Sequence, residues 1–225
     1  MYEWDFHWVW SYRDQLFQAF LVTAYLNAIV LVVGTAAGVL LGILSGARSM
    51  IVRGIIRLYV DLFRTLPILV MLVWFFFCLP VLLGGVRISA LWSAVIVLSL
   101  NLSAFLAEIV RAGLEAVPKH HIEAARAAGL SSAQTVRYVT LPIALRIMVP
   151  PFVGQYINSI KLSVLASVIS VPELLNRTTD IISQVYRPME FYTVLAVLFL
   201  VLLLPGTLWS RRLEAKAQLM QPERA

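Results

Sequence analysis

The sequence predicts an all-α integral membrane protein with five transmembrane helices, and three observations carry that expectation. Hydrophobic residues fill 60% of the 225 positions and charged residues only 13%, against roughly 25% charged in soluble domains. The charges gather between long uncharged runs, each of the length that a hydrocarbon core of ~30 Å requires at ~1.5 Å per helical residue. Lysines and arginines are also divided unequally between alternate connections. Arg48, Arg53, Arg57, Arg111, Lys119, Arg126, Arg137, Arg146, Arg211, Arg212, Lys216 and Arg224 fall on one side, and Arg13, Arg87, Arg177 and Arg187 on the other. The richer side marks the cytoplasm, so the N-terminus is expected outside and the C-terminus inside. A net charge of +6 and a pI near 9.8 do not point to nucleic acid, because the basic residues form no continuous patch.

One transmembrane domain, 1–225, is expected to accommodate the whole chain. Residues 1–14 place aromatics at every even position from Tyr2 to Tyr12, a pattern suited to the headgroup layer. Without a basic start or a small-residue cleavage site, this segment does not read as a cleavable signal peptide. The first span, about 16–46, carries Gly34, Gly38, Gly42 and Gly46 at every fourth residue, a ridge that lets a neighbouring helix come close. The second, about 62–84, starts beside Asp61 and Arg64, which are spaced to pair on one helix face. The third, about 88–114, aligns Asn101, Glu108, Arg111 and Glu115 near one face, with Glu108 expected to pair with Arg111.

A polar island, 118–142, follows. It reads as two short helices joined at Gly129, which can take the left-handed conformation that ends a helix; Ser131 and Gln134 have the form of a capping box. Pro142 is expected to interrupt the second helix. The fourth span, about 146–171, is apolar except for Lys161 and a few uncharged polar residues, and Pro150-Pro151 are expected to bend its start. Residues 172–187 suit an interfacial helix on the outer side, with Pro172 in its first turn and Leu174, Leu175, Thr178, Ile181, Ile182 and Val185 on one face. A fifth span, about 190–210, ends at Arg211-Arg212, and a frayed polar tail from Leu213 is expected. Cys78, the single cysteine, is read as packing.

Within the island, Glu123-Ala124-Ala125, Gly129, Val139 and Leu141-Pro142 stand at the spacing of the EAA loop. The chain here resembles the membrane subunits of binding-protein-dependent ABC importers, with the type I importer fold. Phe63-Arg64-Thr65-Leu66-Pro67 is similar to that family's Phe-Arg-Gly-Thr-Pro stretch, and Ser103 to Arg111 to its Ser-Ala-Tyr-Leu-Ala-Glu-Ile-Phe-Arg; Val171-Pro172-Glu173-Leu174 also agrees. These stretches point to the polar amino acid branch. The resemblance implies that Glu123, Ala124, Ala125, Gly129, Leu141 and Pro142 couple to a cytoplasmic ABC ATPase dimer, which holds the ATP and magnesium; this chain is expected to carry no cofactor and no metal. It also implies a second permease subunit, identical or not, an external solute-binding protein, a small polar solute and a bacterial inner membrane location.

Lys161, Asn158, Ser163, Asn101, Glu108 and Arg64 are the expected substrate-pathway residues. A lysine near the centre of a span costs ~2.5–3.5 kcal/mol on insertion scales, so it should face a partner or a polar cavity. Where the family commonly reads Lys-Asp-Thr-Ser-Leu, this chain has Lys161-Leu162-Ser163-Val164-Leu165: the lysine stays and the acid is gone. No GxxxxGK[ST] loop is present, so energy must come from a partner. A carrier or channel driven by an ion gradient is the alternative, but it would need intramembrane carboxylates, usually in repeated halves. A membrane enzyme is disfavoured, since no Ser/His/Asp set or metal-spaced cluster is visible.

Overall fold

The computed structural model describes residues 2–219, with side chains as far as 212. Its described residues form helices α1 (His7–Ser11), α2 (Arg13–Leu44), α3 (Met50–Thr65), α4 (Ile68–Leu82), α5 (Ala90–Glu115), α6 (Lys119–Ala127), α7 (Ser132–Ile169), α8 (Leu174–Val185) and α9 (Pro188–Leu219), with no strand among them. Serines open three of these helices: Ser49, Ser89 and Ser131 each accept a backbone N–H of the first turn, satisfying a donor the helix cannot pair internally. By length and apolarity α2, α5, α7 and α9 can each cross a membrane, and α3 with α4 qualifies as a bent pair.

The core is built around α5, which runs parallel to α2 along the glycine ridge. A Cβ on Gly34 would meet Leu102 Cδ2 at 2.8 Å, one on Gly38 would meet Leu106 Cβ at 2.7 Å, and one on Gly42 would meet Val110 Cβ at 2.5 Å. Each step of four along α2 matches a step of four along α5, so the two backbones stay close for about two turns. The ridge serves packing inside this chain. Gly46 lies beyond it, with only its own Ile43 carbonyl nearby. Leu26, Val30, Leu72, Leu98, Leu102, Leu106 and Ile169 fill the centre.

The second apolar run is bent rather than straight. α3 and α4 meet at 102°, so residues 62–84 do not form one helix and the apolar helix begins at Ile68. Pro67 causes the break: it has no N–H for the carbonyl of Phe63 and holds Leu66 in extended backbone. Asn101 of α5 supplies the missing donor, its Nδ2 lying 2.9 Å from the Phe63 carbonyl oxygen. On α3, Ile56 and Val60 pack with Ala107, while Tyr59 Oη lies 2.6 Å from Ser103 Oγ. Cys78 is exposed rather than packed and closes a π turn, Trp74–Cys78, within α4.

Pro142 does not interrupt its helix. Val136–Thr140 form a π turn in which the Leu141 N–H reaches the Val136 carbonyl, one residue farther back than in an α-helix. The wider turn relieves the clash between the proline ring and the carbonyl four residues earlier. The same device precedes Pro80, where the Leu79 N–H reaches the Trp74 carbonyl. α7 is therefore one continuous element from the polar island to Ile169, with Pro150 and Pro151 inside it. It ends as a 3₁₀ stretch, Ser163–Ile169, with Ser170 left-handed at φ 61°.

At that end of the molecule Pro172 precedes the next helix instead of entering it. The N-cap is Glu173, fully buried, whose carboxylate accepts the N–H groups of Asn176 at 2.7 Å and Leu175 at 3.0 Å. Burial pushes its pKa up to about 7, against the opposing pull of those two donors. Leu16, Ile181 and Phe191 join α2, α8 and α9 there. The aromatic N-terminus is strapped to the same region: Tyr2 donates to Glu190, and Arg187 donates to the Glu3 carbonyl at 3.0 Å. α9 continues to Leu219, past the point where a frayed tail was expected; Arg224 and the side chain of Lys216 lie outside the described residues.

Candidate coupling loop and polar pathway

The loop between α5 and α7 folds as its residues dictate. α6 ends in a Schellman arrangement: Gly129 N–H bonds the Arg126 carbonyl at 2.9 Å and Leu130 N–H bonds the Ala125 carbonyl at 3.1 Å. This requires a left-handed residue after the cap, and Gly129 has φ +84°. Two residues on, Ser131 N–H donates to Gln134 Oε1 at 2.8 Å and Gln134 N–H to Ser131 Oγ at 3.4 Å, completing the capping box. Both termini at the turn are thus satisfied locally, which leaves the outer surface free to meet something else.

Glu123, Ala124, Gly129, Leu141 and Pro142 are exposed on this surface. Ala125 is not: it is buried, and its place in the row of alanines faces the protein rather than a partner. Val136 and Tyr138, 54% and 63% exposed, enlarge the apolar part of the same surface. Sequence reasoning passed over them because they sit among polar neighbours.

The six expected pathway residues separate into four groups. Arg64 and Glu108 come together at 4.0 Å. Arg111 grips Glu108 with two bonds, Nη2 to Oε1 at 2.6 Å and Nε to Oε2 at 3.0 Å, and reaches Glu115 at 2.6 Å. A forked guanidinium on a carboxylate is a strong, directional contact, so Glu108 is held in a network and its pairing with Arg111 is as expected. The Asp61–Arg64 pair is replaced: Arg64 turns toward Glu108 and stacks over Phe105, 5.3 Å from the ring centre. Asn101, buried at 6% exposure, is committed to the Phe63 carbonyl at the break before α4.

Ser163 does not join Asn158 and Lys161. It is buried, receiving Asn27 Nδ2 at 3.0 Å and donating to the Ile160 carbonyl at 2.8 Å; two positions on a helix are about 200° apart, so it faces α2 while Lys161 faces outward. Asn158 and Lys161 are exposed, three residues apart on α7, and Lys161 makes no ion pair among the described residues. Gln155, one turn before Asn158, has a buried Nε2 without a hydrogen-bond partner. Its position three before Asn158 was the signal available in the sequence.

Known proteins are similar to this chain in sequence and fold. Residues 38–218 match the family described as binding-protein-dependent transport system inner membrane component. The chain is 33% identical to the glutamine transport system permease protein GlnP of Escherichia coli (strain K12), over 97% of this chain and 100% of the relative. It is 35% identical to the probable glutamine ABC transporter permease protein GlnP of Bacillus subtilis (strain 168), over 89% and 93%. A crystal structure of an amino acid ABC transporter with histidines superposes with a TM-score of 0.86 at 27% identity, covering 96% of this chain and 100% of that one. The fold is shared too with an inward-facing MetNI methionine ABC transporter, at a TM-score of 0.64 and 24% identity over 93% and 97%.

Proposed function

The chain belongs to the inner membrane components of binding-protein-dependent transport systems and is a permease subunit of an amino acid ABC importer; from this we propose that it carries a polar amino acid or related small solute into the cell, driven by a partner ATPase dimer that holds the ATP and magnesium. A second permease, identical or different, completes the path, and an external binding protein delivers the solute. The lysine and arginine distribution supports an N-terminus outside and a cytoplasmic side for α3, α6 and the start of α7.

The observation that carries this reading is the helix–glycine–helix loop, capped internally and exposed outwardly, whose second helix is the root of a membrane span. A surface built this way passes a push from the ATPase directly into α7. Gly129→Val tests it, because a β-branched residue is penalised at φ +84°. The substitution is expected to abolish solute uptake by the reconstituted complex while the subunit still reaches the membrane; transport at the wild-type rate would refute the loop's role.

Lys161 and Asn158 form the exposed polar face of α7 and line the solute path at the subunit interface in this reading. Lys161→Met in assembled complexes is expected to change the apparent affinity or rate of solute-stimulated ATP hydrolysis. If neither moves, the two residues have no part in the path. The gradient-driven carrier is not favoured: the described spans offer Glu108 as its proton-carrying carboxylate, and Arg111 already holds both oxygens of that group.

A further inference from the structure

Between α3 and α5, at the end of the molecule that bears the coupling loop, lies a polar basin of about 480 Å³ lined by Arg53, Arg57, Asp61, Arg64, Glu108 and Arg111, among others. Its charges are unevenly satisfied. Glu108 takes Arg64 and Arg111, and Glu115 takes Arg111 again. Arg53 and Arg57, one turn apart on α3, make no ion pair among the described residues. Asp61, one turn after Arg57 on the same helix, makes no ion pair among the described residues either, so four arginines against three carboxylates leave the basin one positive charge in excess, and the two unpaired guanidiniums stand on the same wall.

The depth of this basin follows from the opposite face of α3. Ile51, Ile55, Leu58 and Leu62 recur at intervals of four, three and four residues and are 75%, 64%, 69% and 47% exposed. At about 100° per residue they form one stripe, and Arg53, Arg57 and Arg64 project roughly opposite to it. α3 lies at 102° to α4. With α4 crossing the bilayer, α3 runs close to the membrane plane, its apolar stripe at the acyl boundary, as amphipathic interfacial helices do. The two free arginines are then held at headgroup level.

We propose that the basin between α3 and α5 is a binding site for the phosphate of an anionic phospholipid of the cytoplasmic leaflet, held by Arg53 and Arg57. The guanidinium fork fits phosphate oxygens in pairs, and basic pockets between helices on the cytoplasmic side are suited to anionic headgroups. A lipid is favoured over a dissolved anion because α3 fixes the site at the depth where lipid phosphates are concentrated. The bound headgroup braces α3 against α5 next to the Glu108–Arg111 network. The assignment to the cytoplasmic leaflet rests on the sidedness proposed above; the assignment of the ligand does not.

The test is lipid retention, which does not depend on transport. The assembled complex, purified from bilayers of mixed phosphatidylglycerol and phosphatidylcholine, is weighed by native mass spectrometry with its bound lipids. Wild type is expected to retain phosphatidylglycerol preferentially, and Arg53→Gln/Arg57→Gln to lose roughly five-fold in retention per arginine removed. The exposed pair Arg211→Gln/Arg212→Gln removes the same charge elsewhere and should change retention by less than about two-fold. If the double variant does not assemble, Arg57→Gln alone decides by the same criterion. Equal losses in both pairs, or no loss in the basin variant, would overturn the site. Displacement of phosphatidylglycerol by millimolar inorganic phosphate would overturn the lipid assignment in favour of a free anion.

Discussion

α5 and α9 have nearly the same hydropathy, yet 72% of the spanning window of α5 is buried inside the chain and only 11% of that of α9. Hydropathy reports which solvent a helix can live in, not which neighbours it has. The difference is written in side-chain size. α5 buries Ser93, Ala94, Ser99, Ser103, Ala104 and Ala107, small groups that let α2 and α3 approach closely. α9 presents Val197, Leu200, Val201, Leu204 and Leu208 outward, 45–64% exposed. Lipid tails are as apolar as leucine, so close packing and interhelical hydrogen bonds, not hydrophobicity, hold helices together in a bilayer.

The sharpest way to break this contrast is Gly38→Leu. A Cβ there already stands 2.7 Å from Leu106 Cβ and 2.9 Å from the Ser103 carbonyl oxygen, so a leucine forces α2 and α5 apart. The expected loss is about 3 kcal/mol or more, read as a lower thermal midpoint of the solubilised subunit and a lower level in the membrane. A wild-type midpoint would mean that the ridge is not packed as described.

Asn101→Leu should cost less, about 1 kcal/mol, because it strands a single carbonyl, that of Phe63, at the turn before α4. The same thermal measurement applies, and an unchanged midpoint would show that water or another donor serves the break. On α9, Leu200→Ala at a 59% exposed position is expected to stay within about 0.5 kcal/mol. A shift comparable to Gly38→Leu would show that the outer face of α9 is packed within the subunit after all.

Much of this architecture was legible in the sequence. The glycine ridge, the capping box at Ser131 and Gln134, the left-handed Gly129 and the Glu108–Arg111 pair each rest on residues within four positions of one another, where local geometry decides. What escaped depended on distant partners or on helix type. Pro142 reads as a breaker unless the preceding turn is known to widen, and nothing in Val136–Thr140 announces a π turn. Asn101 looks like a polar stripe residue until the Phe63 carbonyl, 38 positions away, is seen to lack its donor. Ser163 lies two positions from Lys161, and at about 100° per residue that is about 200° around the helix, so closeness in sequence places the two side chains on opposite faces.

The π turn before Pro142 also sets rotational phase. In an α-helix each residue adds about 100°, and a π turn accommodates one residue more than the α turn it replaces. Everything downstream on α7, including Asn158 and Lys161, therefore points in a direction fixed by that one extra residue. Forcing Val136–Thr140 into a regular α-helix with the same number of residues would swing the polar face of the span by about 100°, whereas removing one of the five would restore a regular helix and leave that face where it is, without altering one side chain in the membrane. A segment of five residues beside the coupling loop acts as the index mark of the whole rod.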